Sequence, residues 1–470
     1  MMNSSKRFYL LCFTLACFAS CGTDFLDVKP NIRQRVPSEL GDYSLLLDNT
    51  GVMNVSAHAL GMIGSDEYYL TDAQYSTFPD GALHNYQIRA YTWEKEIFQG
   101  NEAGYMDWNN GYKRILWANL VIDGISRLSL TGEEKVAAEH VRGMALFHRA
   151  WNYYSLAQLF CPVYDDVSSE KALGLPLRLE PDLTLRIPRS TLAATYSQII
   201  RDLTGAASVL PETASTGFTP TRAAAHALFA RLYLQMGNYQ KALDHASKCL
   251  ETRGELLDYR SLEFINNMTF RANGTGNPEV IFMAIVRGDT NYLRMLRQNI
   301  LSVDSVLLES YAEGDLRRQA FYRLFNNVRY TFRGSYDGTS QNTYFSGLAV
   351  DEVYLTRAEC AVRLGDLTQS LIDLNTLRRH RYVSEGYVDL TSGDGQQVLD
   401  WVLEERRKEL VFRGTRWEDL RRLNKEPRYT RTLERRIAGQ IYTLEPGSLR
   451  YVYPLPVEAI VQGGYEQNDR

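Results

Sequence analysis

Two adjacent carboxylate pairs, Asp66-Glu67 and Glu418-Asp419, are the first residues whose types could do chemistry. Glycoside hydrolysis needs two carboxyls about 5–10 Å apart across a sugar. Neighbours in sequence do not certify that separation, and among 56 acidic residues such pairs arise by chance. The seven histidines are scattered, with no His-Glu-x-x-His and no Cys/His ligand cluster, so no metal centre is expected. Gly274-Thr275-Gly276 lacks the third glycine of a dinucleotide loop, and no Walker A loop occurs. Gly334-Ser335-Tyr336-Asp337-Gly338 lacks the spacing of a nucleophile elbow. The chain therefore reads as a binding protein without a cofactor, not as an enzyme.

Aromatic residues are the surplus: 30 Tyr, 18 Phe and 6 Trp. Their faces suit sugar rings, whose C–H groups pack on them while hydroxyls seek Asp, Asn and Arg. Three clusters outside the helical segments are the candidate ligand-binding residues. They are Asp66 with Tyr68, Tyr69 and Tyr75; Trp93 in Tyr91-Thr92-Trp93; and Asn291, Tyr292 and Arg294 in a later loop-rich stretch. The alternative for each is packing in the core.

The elements that must position these residues begin with a repeated phrase. Ala230 to Leu243 contains Gly237-Asn238-Tyr239, and Ala358 to Leu371 contains Gly365-Asp366-Leu367. The glycine suits a left-handed helix end, and Asn or Asp beside it supports the turn. Ala225, Leu228, Phe229, Leu232 and Met236 form one apolar stripe; Tyr354, Ala358, Ala361 and Val362 form another. Phe147, Ala150, Trp151 and Tyr154 repeat the pattern upstream, after a helix expected over Tyr112–Leu128. Paired helices of this kind are the unit of tetratricopeptide (TPR) arrays, whose period is about 34 residues. The two phrases start 128 residues apart, so an insertion must separate them.

The expected fold is mostly α. TPR-like helix-turn-helix repeats at about 105–250 and 350–425 form a scaffold, and an irregular loop-rich lobe at about 30–100 and 255–350 carries short strands such as Val280–Ala284. About 450 residues exceed a single core, so two interleaved lobes are expected.

Lys6 and Arg7 precede an apolar run from Phe8 to Ala19, too short for a spanning helix of about 20 residues. Residues 1–20 read as a signal peptide, and Ala19-Ser20-Cys21 as a lipidation site at Cys21. Two or more acyl chains hold a protein on a membrane stably. Removing the leader takes the formal net charge from −4 to −6. A mildly acidic chain without a long basic run excludes a nucleic-acid footprint. The short clusters Arg378, Arg379 and Arg381, and Arg421 and Arg422, read as solvated helix ends, and Cys161, Cys249 and Cys360 as buried thiols.

In this order the motifs resemble the SusD/RagB family across essentially the whole chain. Cys21 to Asp27 is similar to its post-lipidation start, and Tyr112 to Asn119 to its Tyr-x-x-Ile-x-x-x-Asn helix. The segment Arg142 to Phe160 followed by Cys161-Pro162-Val163, the two repeat phrases, and Glu404 to Arg422 follow. Tyr453-Pro454-Leu455-Pro456 and Gln467-Asn468 close the pattern. Arg413 and Cys161 depart from it, where Glu and Gly are usual. Within Glu404 to Arg422, Glu404–Lys408 and Glu409–Arg413 have the spacing of helical ion pairs, and Arg416 and Asp419 are expected to tie the next turn to a neighbour.

The resemblance implies a lipid-anchored outer-membrane protein facing the cell exterior. It would bind oligomeric nutrients, glycans first, and pass them to a SusC/RagA-type TonB-dependent transporter, closing over the barrel as a lid. The alternatives are a RagB-like peptide-binding uptake protein or a TPR scaffold whose ligand is another protein.

Overall fold

A computed structural model of the chain describes residues 37–55, 58–78, 82–99, 106–287 and 291–470. The expected leader at 1–20 and Cys21 lie outside the described residues. Helices α1 (Leu40–Leu47), α2 (Ala59–Gly64) and α3 (Ala82–Tyr91) belong to the N-terminal stretch. Then α4 (Met106–Ser126), α5 (Gly132–Phe160), α6 (Leu192–Val209), α7 (Arg222–Gln235), α8 (Tyr239–Thr252), α9 (Val350–Arg363), α10 (Leu367–Arg379) and α11 (Gly395–Glu409) each pack on the next. Helix α12 (Arg416–Leu423) and a terminal α13 (Val457–Gly463) follow. The fold is a TPR-like helical array.

The repeat phrases make identical turns. Gly237 (φ +74°) and Gly365 (φ +89°) adopt the left-handed conformation. Asn238 N–H reaches back to the Tyr233 carbonyl (2.9 Å) and Gly237 N–H to Leu234 (3.1 Å); Asp366 N–H and Gly365 N–H do the same to Ala361 (2.8 Å) and Val362 (3.1 Å). These paired bonds satisfy the last carbonyls of each first helix. Asn238 and Asp366 then cap the second helices, their side chains accepting from Lys241 N–H (3.2 Å) and Gln369 N–H (2.9 Å). One residue thus closes a helix and opens the next.

The strands are short antiparallel pairs. In chain order they are β1 (Tyr68–Tyr69), β2 (Leu173–Pro176), β3 (Arg189–Thr191), β4 (Val280–Phe282), β5 (Ile285–Arg287), β6 (Ser302–Val303), β7 (Tyr322–Phe325), β8 (Arg329–Phe332), β9 (Thr343–Phe345), β10 (Leu348–Ala349), β11 (Leu433–Ile437) and β12 (Gln440–Leu444). Pairing of β10 with β4 brings the two ends of the insertion together, so α9 packs against α8 and the distant repeat phrases are adjacent in space.

The core runs along α5, where Phe147 and Trp151 meet Phe282 of β4 at ring separations of 4.9 and 5.6 Å. Arg231 lies over Trp151 and forms a buried pair with Glu352 at 2.5 Å, fastening α7 to α9. The closing motif is structural: the Asn468 amide donates to the Phe160 and Tyr453 carbonyls (2.9 and 2.8 Å). Cys161, Cys249 and Cys360 are buried free thiols, as the sequence suggests.

The reading of the arginine clusters is corrected. Arg381, Arg421 and Arg422 are buried, not solvated helix ends; Arg379 alone of the exposed-looking set pairs at the surface, with Asp389. The Glu409–Arg413 pair does not form either, because α11 ends at Glu409. Arg413 pairs instead with Asp351 (2.7 Å), and Glu409 with Arg381 and Arg317 (2.8 Å each). Lys408 does reach Glu404 at 3.3 Å.

A Cβ at Gly237 or Gly365 meets nothing within 4 Å, so backbone strain alone opposes substitution there. Gly237→Val and Gly365→Val are each expected to lower stability by more than about 1 kcal/mol. Urea-denaturation midpoints unchanged in both variants would contradict the turn assignment.

Candidate functional site

Strand β1 carries the N-terminal loop onto the insertion, pairing Tyr68 with Val303 and Tyr69 with Ser302 of β6. Strand alternation sends the two tyrosines opposite ways. Tyr68 is 1% exposed and Tyr69 41%. The Gln74 amide donates to Ser302 Oγ (3.1 Å), which places the turn carrying Tyr75 beside Tyr69. Arg294 donates to the Thr77 carbonyl (3.0 Å) and lies over the Phe78 ring at 5.7 Å. Tyr69, Tyr75 and Arg294 are therefore carried on linked segments, together the candidate rim. Asn291 and Tyr292 open the 3-10 turn that carries Arg294, and their side chains lie outside the described residues.

The sequence reading missed two members of this rim. Arg329 of β8 is close enough for the Tyr69 phenol to oppose the fall that burial imposes on its pKa. Its guanidinium lies 4.7 Å over Phe325. Tyr442 of β12 stands beside Tyr75, whose phenol is pushed up by burial first and then by Tyr442 and Glu94. The available signal was the alternation of the two hairpins. The two-residue turn Ala438-Gly439 has positive φ at both residues, as a tight hairpin requires, and Asn326 and Asn327 take positive φ in the three-residue loop of the other.

Two expected ligand contacts, Tyr68 and Trp93, prove to be interior, and a third, Asp66, is committed to ion pairs. The Trp93 ring is fully buried and its indole N–H donates to the Gly64 carbonyl (3.0 Å). Arg435 lies over Tyr68, Tyr91 and Trp93 at 5.3, 4.1 and 5.0 Å, filling the space a sugar would take on those faces. Tyr68 and Trp93 are thus packing residues around a buried cation. Asp66 is engaged by Arg416 in a bidentate pair (2.6 and 2.9 Å), with Arg407 at 3.4 Å and Arg431 at 3.3 Å. Burial would raise its pKa, but Arg416 and then Arg407 and Arg431 hold it well below the usual carboxylate range. Asp66 positions the loop and is not free to meet a ligand.

The neighbouring acids are equally committed. Burial raises Glu67 to about 7, against hydrogen bonds from Phe412 N–H (2.7 Å) and Ser65 Oγ (3.0 Å). Burial also raises Glu418 to about 7, against the nearby Arg231 and the hydrogen bond that Tyr154 donates (2.6 Å). Asp419 is held by Arg406 and Arg422 (2.8 and 2.9 Å). Glu67, Glu418 and Asp419 are buried, and Asp66, with 13% of its side chain exposed, is taken up by arginines. Glu279, Asp351 and Glu409 bring carboxylate oxygens within 4.8 Å of one another, a spacing that suits a cation. Arg381, Arg413 and Arg317 already supply the positive charge there.

With this geometry in view, comparisons with known proteins bear on it directly. A family profile described as "Starch-binding associating with outer membrane" matches residues 24–234, and one described as "SusD family" matches residues 313–468. Together they span most of the chain, which belongs to the SusD/RagB family, a family of binding proteins. "SusD-like protein P2" of Formosa agariphila is 24% identical over 384 residues, 69% of this chain and 73% of the relative. A SusD superfamily crystal structure from Bacteroides thetaiotaomicron superimposes with a TM-score of 0.73 at 22% identity, covering 92% of this chain and all of that one. A putative sugar binding protein from Bacteroides vulgatus gives 0.71 at 21% identity over 92% and 99% of the two chains. These structures share the fold.

Trp93→Ala is expected to cost about 3–5 kcal/mol, as for a large buried aromatic. Tyr69→Ala is expected to stay within about 0.5 kcal/mol of the parent. Chemical denaturation of both separates packing from rim, and a Trp93→Ala protein of parental stability would reverse the assignment.

Proposed function

We propose that the protein captures oligomeric nutrients, glycans before peptides, at the outer membrane and hands them to a SusC/RagA-type TonB-dependent transporter. The observation that carries this reading is the rim itself. Tyr69 stands 41% exposed on a strand pair with Arg329 near its phenol, Tyr75 stands beside Tyr442, and Arg294 is held on the Thr77 carbonyl two residues on. Flat aromatic faces flanked by guanidinium donors suit sugar rings and their hydroxyls. Asn291 and Tyr292 extend the proposed site from the same insertion. Asp66, Tyr68 and Trp93 contribute by holding the loops in place. The family description, starch-binding and associating with the outer membrane, and relatives named as sugar or carbohydrate binding support the same reading.

Cys21 is the proposed anchor, facing the cell exterior. Among the described residues no helix is long and apolar enough to cross a membrane. Binding without turnover fits the committed state of both carboxylate pairs.

Three outcomes test the proposal. Tyr69→Ala combined with Tyr75→Ala should weaken oligosaccharide binding at least about tenfold, about 1.4 kcal/mol, with an unchanged melt. Calorimetry against glycans and a mixed peptide pool measures this, and binding to peptides alone would replace the glycan assignment. Cys21→Ala should leave the protein unlipidated and released from membranes, by mass spectrometry and fractionation. Gentle detergent extraction of native membranes should recover a large β-barrel protein with it. Recovery of the chain alone would count against the transporter.

A further inference from the structure

A groove of about 640 Å3 lies between α4, the loop after β2 and α13, and shares no residue with the tyrosine rim. Its floor is aromatic: the Trp108 ring lies 4.7 Å from Tyr112 and 6.3 Å from Tyr465. The loop wall is fixed in place. Tyr112 Oη donates to the Pro176 carbonyl (3.0 Å), Tyr153 Oη to Arg178 (2.7 Å), and the Asn119 amide to Arg178 (2.9 Å).

Polar side chains edge this groove with hydrogen-bonding capacity to spare; the Lys113 ammonium lies 5.6 Å over the Trp117 ring. Among the described residues Asn109, Lys113, Arg178 and Gln462 make no side-chain hydrogen bond or ion pair, although all four line it. Glu458 also lines it, and its Oε2 is buried with no hydrogen-bond partner. The groove is thus concave, aromatic-floored and edged by polar groups, which is the make-up of a small-ligand site.

The lining chooses the ligand class. Lys113 and Arg178 balance Glu180 and Glu458, which gives neither a polyanion nor a polycation an advantage. Two of the walls are helix faces, α4 and α13, whose backbone amides are bonded within the helix. A peptide seeking a strand edge finds none on those walls, whereas hydroxyl groups can use the unpaired amides, ammonium, guanidinium and carboxylate. The volume falls within the range of small-ligand sites, about 300–1,000 Å3, and has room for roughly two or three sugar rings.

We propose that this groove is a second saccharide site, binding a neutral di- or trisaccharide between α4 and α13. It is independent of the tyrosine rim, so each can fail without the other. Maltotriose, cellotriose, laminaritriose and xylotriose serve as probes, titrated calorimetrically into the full protein. Three chains are compared: the parent, Lys113→Ala with Gln462→Ala in the groove, and Tyr69→Ala with Tyr75→Ala on the rim. All four positions lie at the surface or only partly buried, so unchanged melts are expected. At least one trisaccharide should bind with an affinity that the groove pair lowers about tenfold or more and the rim pair leaves intact. Binding sensitive only to the rim pair would overturn the second site while supporting the first. Binding indifferent to the groove pair, or no trisaccharide binding at millimolar concentration, would also overturn it.

Discussion

Arg381 has no exposed side-chain surface, yet it lies among three carboxylates from three parts of the chain. It donates to Glu409 at the end of α11 and to Glu279 at the start of the insertion strands, and stands 3.9 Å from Asp351 at the start of α9. Around it, Arg413 takes up Asp351, and Arg317 takes up Asp315, Glu405 and Glu409. Arg378 and Lys408 complete the set on Glu405. Five carboxylates thus face four guanidinium groups and one ammonium inside the protein. Desolvating so many charges offsets much of their attraction, so the network's contribution is specificity of arrangement more than net stability. Planar guanidinium forks fix direction as well as distance, which a lysine in the same places would not.

The rim depends on an extension of this network. Arg407 on α11 divides between Asp66 of the N-terminal loop (3.4 Å) and Asp304 of the insertion (3.2 Å). Arg416 closes on Asp66 from α12, and Arg435 donates to the backbone carbonyls of Ser65 and Tyr68. Two irregular segments with little regular structure of their own are therefore referenced to helices. Loops presented by a rigid scaffold are where binding residues usually sit. The charges of Glu404 to Arg422 are accordingly a positioning frame, and the exposed tyrosines are what it presents.

Much of the scaffold was legible in the sequence because its signals are local. Gly237-Asn238 and Gly365-Asp366 carry a left-handed position and a cap within two residues, and the stripes around them have helical period. The rim was only half legible. Tyr69 and Tyr75 were found by residue type, but Tyr68 and Trp93 are the same types facing inward. What separates Tyr68 from Tyr69 is strand alternation set by pairing with residues more than 200 positions away. The sandwich that claims Trp93 needs Arg435, from the far end of the chain. Likewise Arg381 read as a solvated helix end, and Arg413 as the helical partner of Glu409, where tertiary structure brings them Glu279 and Asp351. Local spacing cannot reveal a partner supplied by tertiary structure.

The most direct test of this account removes the central cation. In Arg381→Met the side chain keeps a flexible unbranched stem and loses its guanidinium and charge. The carboxyls of Glu279 and Glu409 already lie above their usual range, through burial and despite Arg381. Without it they rise further in the folded state. A group whose folded pKa is raised is stabilising below its unfolded value and loses that stability as pH climbs through the folded value. The account predicts that Arg381→Met lowers the unfolding free energy by about 3–5 kcal/mol at pH 8. The deficit relative to the parent should shrink clearly at pH 5, where protonation spares the buried carboxylates. A deficit of the same size at both pH values, or none at either, would contradict the claim that the loop-rich segments are held on the helical array by this network.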